Sequence, residues 1–228
     1  MIENSLNKKK YGVKIISSEE ELLELNENDN NKDILEYKIL IIGNNLTGKT
    51  SFCQRFTKNT FDLEINPSIE TNCYLKTILL FDKEIKIFLL DIETIPISAL
   101  DEEEEYELYK EANGIIIIYD LTQYESFENI EKLINNAKKI GKIEKNIPMN
   151  IIGNKNDLKF LRNVDFSEAK EKAVQLGCEL FEINCNKDED MVHNVMKNLI
   201  AKIYFNSLSK EEKQKLVNNT KEFIDKNK

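Results

Sequence analysis

Four apolar runs alternate with amphipathic segments along most of the chain, and this alternation restricts the fold more than any other feature. Each run is apolar on both faces, which is typical of strands that have helices packed above and below them. Strands that alternate with helical segments predict a parallel or mostly parallel sheet. The four runs are "YKILIIG" (37 to 43), "KIFLLDI" (86 to 92), "GIIIIYD" (114 to 120) and "PMNIIGN" (148 to 154).

The segments between the runs complete the predicted sheet. "TNCYLKTILLFDKEIKIFLL" favours a hairpin that turns near Asp82 and Lys83 and adds one antiparallel strand, and "CELFEIN" (178 to 184) predicts a last strand. Two apolar stripes at helical spacing predict helices. They comprise Phe127, Ile130, Leu133, Ile134 and Ala137, and Val192, Val195, Met196, Leu199, Ile200 and Ile203. We therefore predict an α/β fold with a mostly parallel six-stranded sheet, one antiparallel strand and helices on both faces.

The chain divides into one domain and two extensions. Residues 1–35 are polar and charge-rich, and Ser18 with Glu21 could cap a short helix there. Residues 36–205 carry the alternating pattern and form the predicted domain. Residues 206–228 carry a further amphipathic stripe, which consists of Leu216, Val217, Phe223 and Ile224. This stripe is typical of a helix that docks on the domain or of one that binds a partner.

Composition excludes several classes of function. The 228 residues include 41 acidic and 32 basic side chains, a net charge of -9, which argues against a general nucleic-acid binder or a binder of anionic membranes. The four cysteines, Cys53, Cys73, Cys178 and Cys185, lack metal-binding spacing, and no secretory signal or membrane-spanning run is present. We expect a cytoplasmic protein with reduced thiols.

A phosphate-binding motif follows the first apolar run directly. Gly43 to Thr50, "GNNLTGKT", matches the pattern G-x-x-x-x-G-K-[ST]. Such a loop lets successive backbone N–H groups converge on phosphate oxygens, while Lys49 reaches the β and γ phosphates and Thr50 offers its hydroxyl to Mg²⁺. The alternative is an accidental turn, but two of only seven glycines fall at the required spacing. The predicted contacts are Asn45, Leu46, Thr47, Gly48, Lys49, Thr50 and Ser51.

A second motif indicates which nucleotide binds. "GNKNDL" (153 to 158) follows the last of the four runs. The Asp157 carboxylate can accept the ring N–H and the exocyclic amine of guanine, whereas adenine presents an acceptor and a C–H there. A buried carboxylate left unpaired permits discrimination of about 10⁴. Asn154 and Lys155 would hold this loop and cover the base. In an asparagine-rich chain the motif alone could be a surface turn.

With both motifs present in this order, the chain resembles the small GTPases of the Ras superfamily and is most similar to the Rab branch. The resemblance covers residues 36–205 and includes "IIIIYDLTQYESFENIEKLI". It implies the P-loop G-domain fold, with GTP or GDP as ligand and Mg²⁺ as cofactor. It also implies protein effectors, an exchange factor and an activating protein, which would act through residues around 61–75 and 92–110.

The resemblance extends to further site residues. Phe61 stands where the family places an aromatic against guanine, although it could instead be a core aromatic that anchors the loop. Ser68 replaces a threonine ligand of Mg²⁺, and Asp91 occupies the position of an aspartate that binds Mg²⁺ through water. Asn184, Cys185 and Asn186 align with the last base-binding loop, whose backbone N–H groups would contact the base. A bare turn is the alternative for this loop.

The second switch departs from the family pattern. Where the family has D-x-x-G-Q, this chain has "DIETIP", so Thr94 replaces the glycine and Ile95 replaces the glutamine that orients the attacking water. Asn45 and Leu46 occupy positions beside the γ-phosphate that are commonly small. The following "DEEEE" (101 to 105) favours a solvated helix face or a contact for a basic partner. We predict Mg²⁺-dependent nucleotide binding, with Lys49 stabilising phosphate charge and with weak or partner-dependent hydrolysis.

Three functions are weighed on these grounds. A guanine-nucleotide switch in vesicle traffic or signalling is favoured by Lys49, Thr50, Ser68 and Asp91. A GTP-locked or non-cycling scaffold is favoured by "DIETIP", and an ATP-dependent enzyme is disfavoured by Asp157. No cysteine follows Cys185, so we expect no direct lipid anchor and a transient membrane recruitment that requires a partner. We interpret the lone His193 as structural.

Overall fold

Seven strands form a single sheet in the computed structural model, which describes residues 13–15, 34–61, 71–80, 83–92, 102–144, 146–215 and 218. Their spatial order is β1-β3-β4-β2-β5-β6-β7. The strands β2, β4, β5, β6 and β7 pair in parallel, and β3 is antiparallel to both β1 and β4. The strands are β1 (Val13–Ile15), β2 (Leu35–Ile42), β3 (Asn72–Leu80), β4 (Lys83–Asp91), β5 (Gly114–Asp120), β6 (Met149–Asn154) and β7 (Glu179–Glu182).

Strands β2 to β7 confirm the predicted arrangement of five parallel strands and one antiparallel strand. The predicted hairpin is β3 and β4, in which Leu80 pairs with Lys83. Strand β1 was not predicted. It belongs to the N-terminal extension and pairs with the far end of β3, where Val13 lies opposite Leu80. The helix predicted near Ser18 lies outside the described residues.

Helices cover both faces of the sheet, as predicted. One face is covered by α1 (Lys49–Lys58) and α6 (Glu189–Ser207), and the other by α3 (Tyr124–Glu128), α4 (Ile130–Ile140) and α5 (Phe166–Gln175). Alternate residues of β2 separate the two cores, because Ile39 and Ile41 pack against the first pair of helices while Leu40 packs against the second set. The two predicted helical stripes are buried, apart from the half-buried Leu133.

The remaining described segments are short. The acidic run begins α2 (Glu102–Tyr109), which has no fully buried residue. A single turn of 3-10 helix spans Lys159–Leu161. Ser209 and Glu212 exchange hydrogen bonds in a capping box, with Ser209 N donating to Glu212 Oε2 (2.9 Å) and Glu212 N to Ser209 Oγ (3.2 Å), and start a helix at residue 210. The stripe residues Leu216, Val217, Phe223 and Ile224 lie outside the described residues.

The strand register places several polar residues at one edge of the sheet. Ile41 pairs with Asp91, and Asp120 pairs with Asn154, so the carboxyl ends of β2, β4, β5 and β6 lie side by side. Ligands of parallel α/β sheets bind beyond this edge. Among the described residues, no helix combines the length and the apolar character that crossing a membrane requires.

Candidate functional site

The loop between β2 and α1 packs so closely that two of its positions accept only glycine. A Cβ added to Gly43 would lie 2.1 Å from the carbonyl oxygen of Ile118, and one added to Gly48 would lie 2.1 Å from Asn154 Nδ2. Gly48 also has a φ of +100°, which disfavours other residues. The two glycines of the motif therefore seat the loop against β5 and β6.

Hydrogen bonds inside the loop fix its turn and hold a buried cation there. The carbonyl oxygen of Asn44 accepts from Thr47 Oγ1 (2.9 Å) and from Lys49 Nζ (3.2 Å). Lys49 is only 3% exposed. Gly48 precedes α1 without a side-chain cap, and the first turn of α1 contains no acidic residue. Backbone N–H groups at a helix N-terminus attract anions, so this loop combines them with a buried ammonium.

Two oxygen groups meet beside the loop in an arrangement that suits a magnesium ion. The Thr50 hydroxyl donates to Asp91 Oδ2 at 2.6 Å, and Asp91, the last residue of β4, is fully buried. Mg²⁺ prefers such oxygen ligands, and it usually retains several waters and phosphate oxygens rather than a cage of protein ligands. Thr50 and Asp91 therefore fit the predicted cofactor.

Asn154 joins the phosphate loop to the two loops predicted to bind the base. It ends β6 and is 4% exposed. Its Nδ2 donates to the carbonyl oxygen of Thr47 (2.9 Å), and its Oδ1 accepts from the backbone N–H of Cys185 (3.2 Å). Both partners are themselves buried. One amide therefore fixes the relative positions of three loops that are distant in sequence.

The loop of the second motif is held by an ion pair between a buried aspartate and a half-buried lysine, and sequence reasoning missed this pair. Lys155 Nζ lies 2.7 Å from Oδ2 of Asp120, the fully buried last residue of β5. Asp120 Oδ1 accepts from both the backbone N–H and the hydroxyl of Thr122, at 2.8 Å each. The available signal was an acidic residue that ends an apolar run, as Asp91 does. Asp157, in the turn that follows, is exposed.

The third loop, residues 184–186, is an ordered turn. The backbone N–H groups of Asn184 and Asn186 donate to Asp188 Oδ2 and Asn184 Oδ1, at 2.9 Å each. The Cys185 N–H makes the longer bond to Asn154 described above. Burial raises the pKa of the Cys185 thiol to about 12, so this thiol stays protonated and is not a nucleophile near neutral pH. The predicted backbone contacts of this loop with a base stay a prediction.

Comparison with known proteins agrees with this geometry. The model of the Ras family matches residues 38–205. The chain belongs to the Ras family. It is 30% identical to Ras-like protein 2 of Mucor circinelloides f. lusitanicus, over 79% of this chain and 88% of that protein. It is 29% identical to Ras-related protein Rab-11A of Dictyostelium discoideum, over 74% and 76% of the two chains, and 29% identical to Ras-related protein RABA1g of Arabidopsis thaliana, over 77% and 78%.

These findings confirm the predicted resemblance: the chain is a Rab-like small GTPase of the Ras superfamily, a class of GTP-binding regulatory proteins. Several residues that the Ras-family pattern implies cannot be placed. Ser68, Thr94 and Ile95 lie outside the described residues, so their predicted contacts with Mg²⁺, the γ-phosphate and water stay predictions. Phe61 is half-buried and packs against the core beside α1, which is compatible with either of its predicted roles.

The middle of the phosphate loop carries Asn45 and Leu46, where the resemblance implies small residues. Leu46 has a φ of +62°, in the left-handed region that disfavours side chains, and it is 59% exposed. Asn45 is also exposed. Ser51, in contrast, is buried in the first turn of α1. The loop therefore carries two exposed side chains, one of them large and apolar, where the family commonly has small residues.

Proposed function

We propose that this Ras-family chain is a Mg²⁺-dependent guanine-nucleotide switch with weak or partner-dependent GTP hydrolysis. The observation that carries the proposal is the pair of hydrogen bonds in which the Asn154 side chain donates to the Thr47 carbonyl and accepts from the Cys185 N–H. They assemble the phosphate loop and both base loops at one edge of the sheet, where nucleotides bind in such folds. A loop that matched the motif only by accident would not be expected to form a hydrogen bond with the buried side-chain amide of the second motif.

Each part of a nucleoside triphosphate has candidate partners at this edge. The buried Lys49 ammonium would stabilise phosphate charge, together with the N–H groups of residues 45–51. When bound, Mg²⁺ would neutralise charge on the β and γ phosphates. Thr50 and Ser68 would bind it directly, and Asp91 would bind it through water.

The base would be recognised at the opposite end of the site. The exposed Asp157 carboxylate would accept the two N–H donors of guanine, and the ion pair between Lys155 and Asp120 would keep the loop in place. Residues 184–186 would contact the base through backbone N–H groups, each of which would have to share or exchange its present side-chain partner, and Phe61 would pack on the face of the base. GTP and GDP are the ligands that this set of partners favours over adenine nucleotides.

The chemistry of the second switch supports slow hydrolysis. Hydrolysis in this family depends on positioning a water and stabilising charge rather than on covalent chemistry. Ile95 stands at the position of the water-orienting glutamine, and an isoleucine side chain cannot form a hydrogen bond. The exposed Leu46 adds an apolar group to the phosphate loop. An activating protein would have to supply what the chain lacks.

The surface beside β3 supports contacts with regulatory proteins. Leu75 is 56% exposed on β3 and pairs with the half-buried Phe88 of β4. Leu75 belongs to the segment 61–75, which with the segment 92–110 we propose contacts effectors, an exchange factor and an activating protein. The exposed acidic residues of α2 suit a basic partner. We further propose a cytoplasmic protein in vesicle traffic or signalling that a partner recruits transiently to membranes.

The alternative is a GTP-locked or non-cycling scaffold, which the replacement of glutamine by Ile95 favours. Two measurements separate the candidates. The nucleotide content of the purified protein, and release rates of GDP and GTP with and without Mg²⁺, test the binding site, and finding only adenine nucleotide refutes the switch. Single-turnover GTP hydrolysis by the parent and by Ile95→Gln tests the second switch. Faster hydrolysis in the variant supports the proposal, while a parent as fast as ordinary small GTPases refutes slow hydrolysis.

A further inference from the structure

One arginine of α1 contacts both segments that are expected to hold the base. Arg55 Nε donates to the carbonyl oxygen of Cys185 (2.9 Å), and Arg55 Nη2 donates to that of Asn186 (2.6 Å). The Arg55 Cζ atom also lies 5.8 Å from the ring centre of Phe61. The third nitrogen, Nη1, donates to the carbonyl and side-chain oxygens of Asn59, at 3.2 and 3.1 Å. All three guanidinium nitrogens therefore have partners.

This geometry depends on the shape of the arginine side chain. Its planar fork places donors in fixed directions, so it can hold two consecutive carbonyls and present a face to an aromatic ring at once. The carbonyls of Cys185 and Asn186 belong to the same turn as the N–H groups that would face the base. Each carbonyl belongs to its own peptide unit, so holding both fixes two successive peptide planes, which also carry the N–H groups of Asn186 and Lys187. A lysine has three donors but no planar fork, so its ammonium would not fix the directions of both carbonyls or present a flat face to the ring.

We propose that Arg55 is a positioning residue that sets the rate at which guanine nucleotide leaves the site. It does so without touching the nucleotide, by holding the loop of residues 184–186 and the Phe61 ring in place on either side of the guanidinium. This inference rests on the proposed function. It adds a residue of α1 to the control of nucleotide exchange, outside both sequence motifs.

The test is the release rate of bound GDP and of bound GTP from Arg55→Ala and Arg55→Lys. We expect Arg55→Ala to release both nucleotides faster by the same factor, about 10-fold to 100-fold, as for the loss of a charge-assisted hydrogen bond. The factor should be the same with and without Mg²⁺, since Arg55 acts at the base end of the site. Arg55→Lys should show a smaller increase of the same kind.

Two control variants lie next to Arg55 on the same helix end. Lys58→Ala removes an exposed positive charge from α1, and Asn59→Gly removes the side-chain partner of Nη1 at a position whose φ of +53° suits glycine. Lys58→Ala should release GDP at the parent rate, and so should Asn59→Gly, because Arg55 Nε and Nη2 keep the carbonyls of Cys185 and Asn186 as partners. A merely structural role for Arg55 would lower the melting temperature or the fraction of molecules that bind, but not alter the release rate of those that do.

The outcomes are distinguishable. Parent-like release from Arg55→Ala, or an equal acceleration in Lys58→Ala, overturns the role of Arg55 while leaving the proposed function intact. If the parent binds no guanine nucleotide, the proposed function and this inference both fail. If Arg55→Ala does not fold, Arg55→Lys decides, because it keeps the charge and the helix propensity, and parent-like release from it overturns the inference.

Discussion

Replacing Asn154 by alanine should separate the role of this amide in the site from its role in the core. The variant loses two hydrogen bonds and leaves the carbonyl of Thr47 and the N–H of Cys185 without their partner in a buried setting. An unsatisfied buried polar group costs about 1–3 kcal/mol. We therefore expect the free energy of unfolding to fall by about 2–4 kcal/mol. This is less than twice the largest cost of one group, because the bond to Cys185 is long and therefore weak.

The chain provides a matched control on the same strand. Asn150 is also a fully buried asparagine of β6, and its Nδ2 donates to the carbonyl oxygen of Val195 at 3.2 Å. Its Oδ1 accepts from Lys202 Nζ, which keeps its ion pair with Glu179 when the asparagine is removed. Asn150→Ala leaves fewer groups unsatisfied, so we expect it to lower the free energy of unfolding by about 1–2 kcal/mol.

The decisive comparison is the release of GDP rather than stability. Because Asn154 joins the phosphate loop to a base loop, Asn154→Ala should release GDP about 10-fold to 100-fold faster, which corresponds to about 1.4–2.8 kcal/mol. Asn150→Ala should release it at the parent rate. Urea unfolding gives the stabilities, and displacement of a fluorescent GDP gives the rates. Equal release from the two variants would show that Asn154 is only a core amide and would refute the reasoning.

Three further predictions concern single features of the structure. Leu46→Gly should raise the free energy of unfolding by up to about 1 kcal/mol. The left-handed backbone costs a residue with a side chain about 1–2 kcal/mol, and the greater entropy of glycine in the unfolded chain offsets part of the gain. A lower free energy of unfolding, measured in urea, would contradict this prediction. Lys155→Ala should cost about 1–2 kcal/mol, because it leaves the buried Asp120 carboxylate without its cation while water already reaches the 32% exposed lysine. Adding Asp120→Asn should recover much of the loss in a double-mutant cycle. Burial, and then the nearby Lys76 ammonium, lower the pKa of His193, so the unfolded chain binds a proton more tightly than the folded chain. The free energy of unfolding should therefore fall as the pH drops below about 6.5. His193→Gln should flatten this part of the curve of stability against pH, and an unchanged curve would mean that another group causes it.

The sequence predicted most of the sheet because buried strands and helices show recognisable patterns of apolar residues. Strands covered on both faces are continuously apolar, and helices that cover them show stripes, so β2 to β7 and the buried faces of α4 and α6 were all visible in advance. Strand β1 shows no such pattern. Its three residues, "VKI", are too few to show a period, and the strand is defined by its pairing with Ile78 and Leu80 of β3.

The site was predictable only in its local motifs. The phosphate loop and the "GNKNDL" loop have fixed spacings that reflect how a short backbone segment must approach a ligand. Arg55 and Cys185 are separated by 130 positions, and their hydrogen bond depends on how α1 packs beside the last loop. Asp120 was missed for the same reason, because its partner Lys155 lies in the loop that follows the next strand, β6. Contacts of this kind have no local period, so they become visible only when the sheet is assembled.

The buried polar residues at the carboxyl edge of the sheet link the stability of the chain to its ligand. Asp91 and Asp120 are fully buried and Asn154 nearly so, each at the end of its strand, whereas the strand interiors are largely apolar. Burying such polar groups costs free energy unless they have hydrogen-bond or charge partners. Those partners lie in the loops that a bound nucleotide would connect. A ligand that binds only the folded chain stabilises it by mass action. The melting temperature should therefore rise with GDP concentration, and this rise should shrink in Asn154→Ala, because the loops would no longer be held in the geometry that binds the ligand.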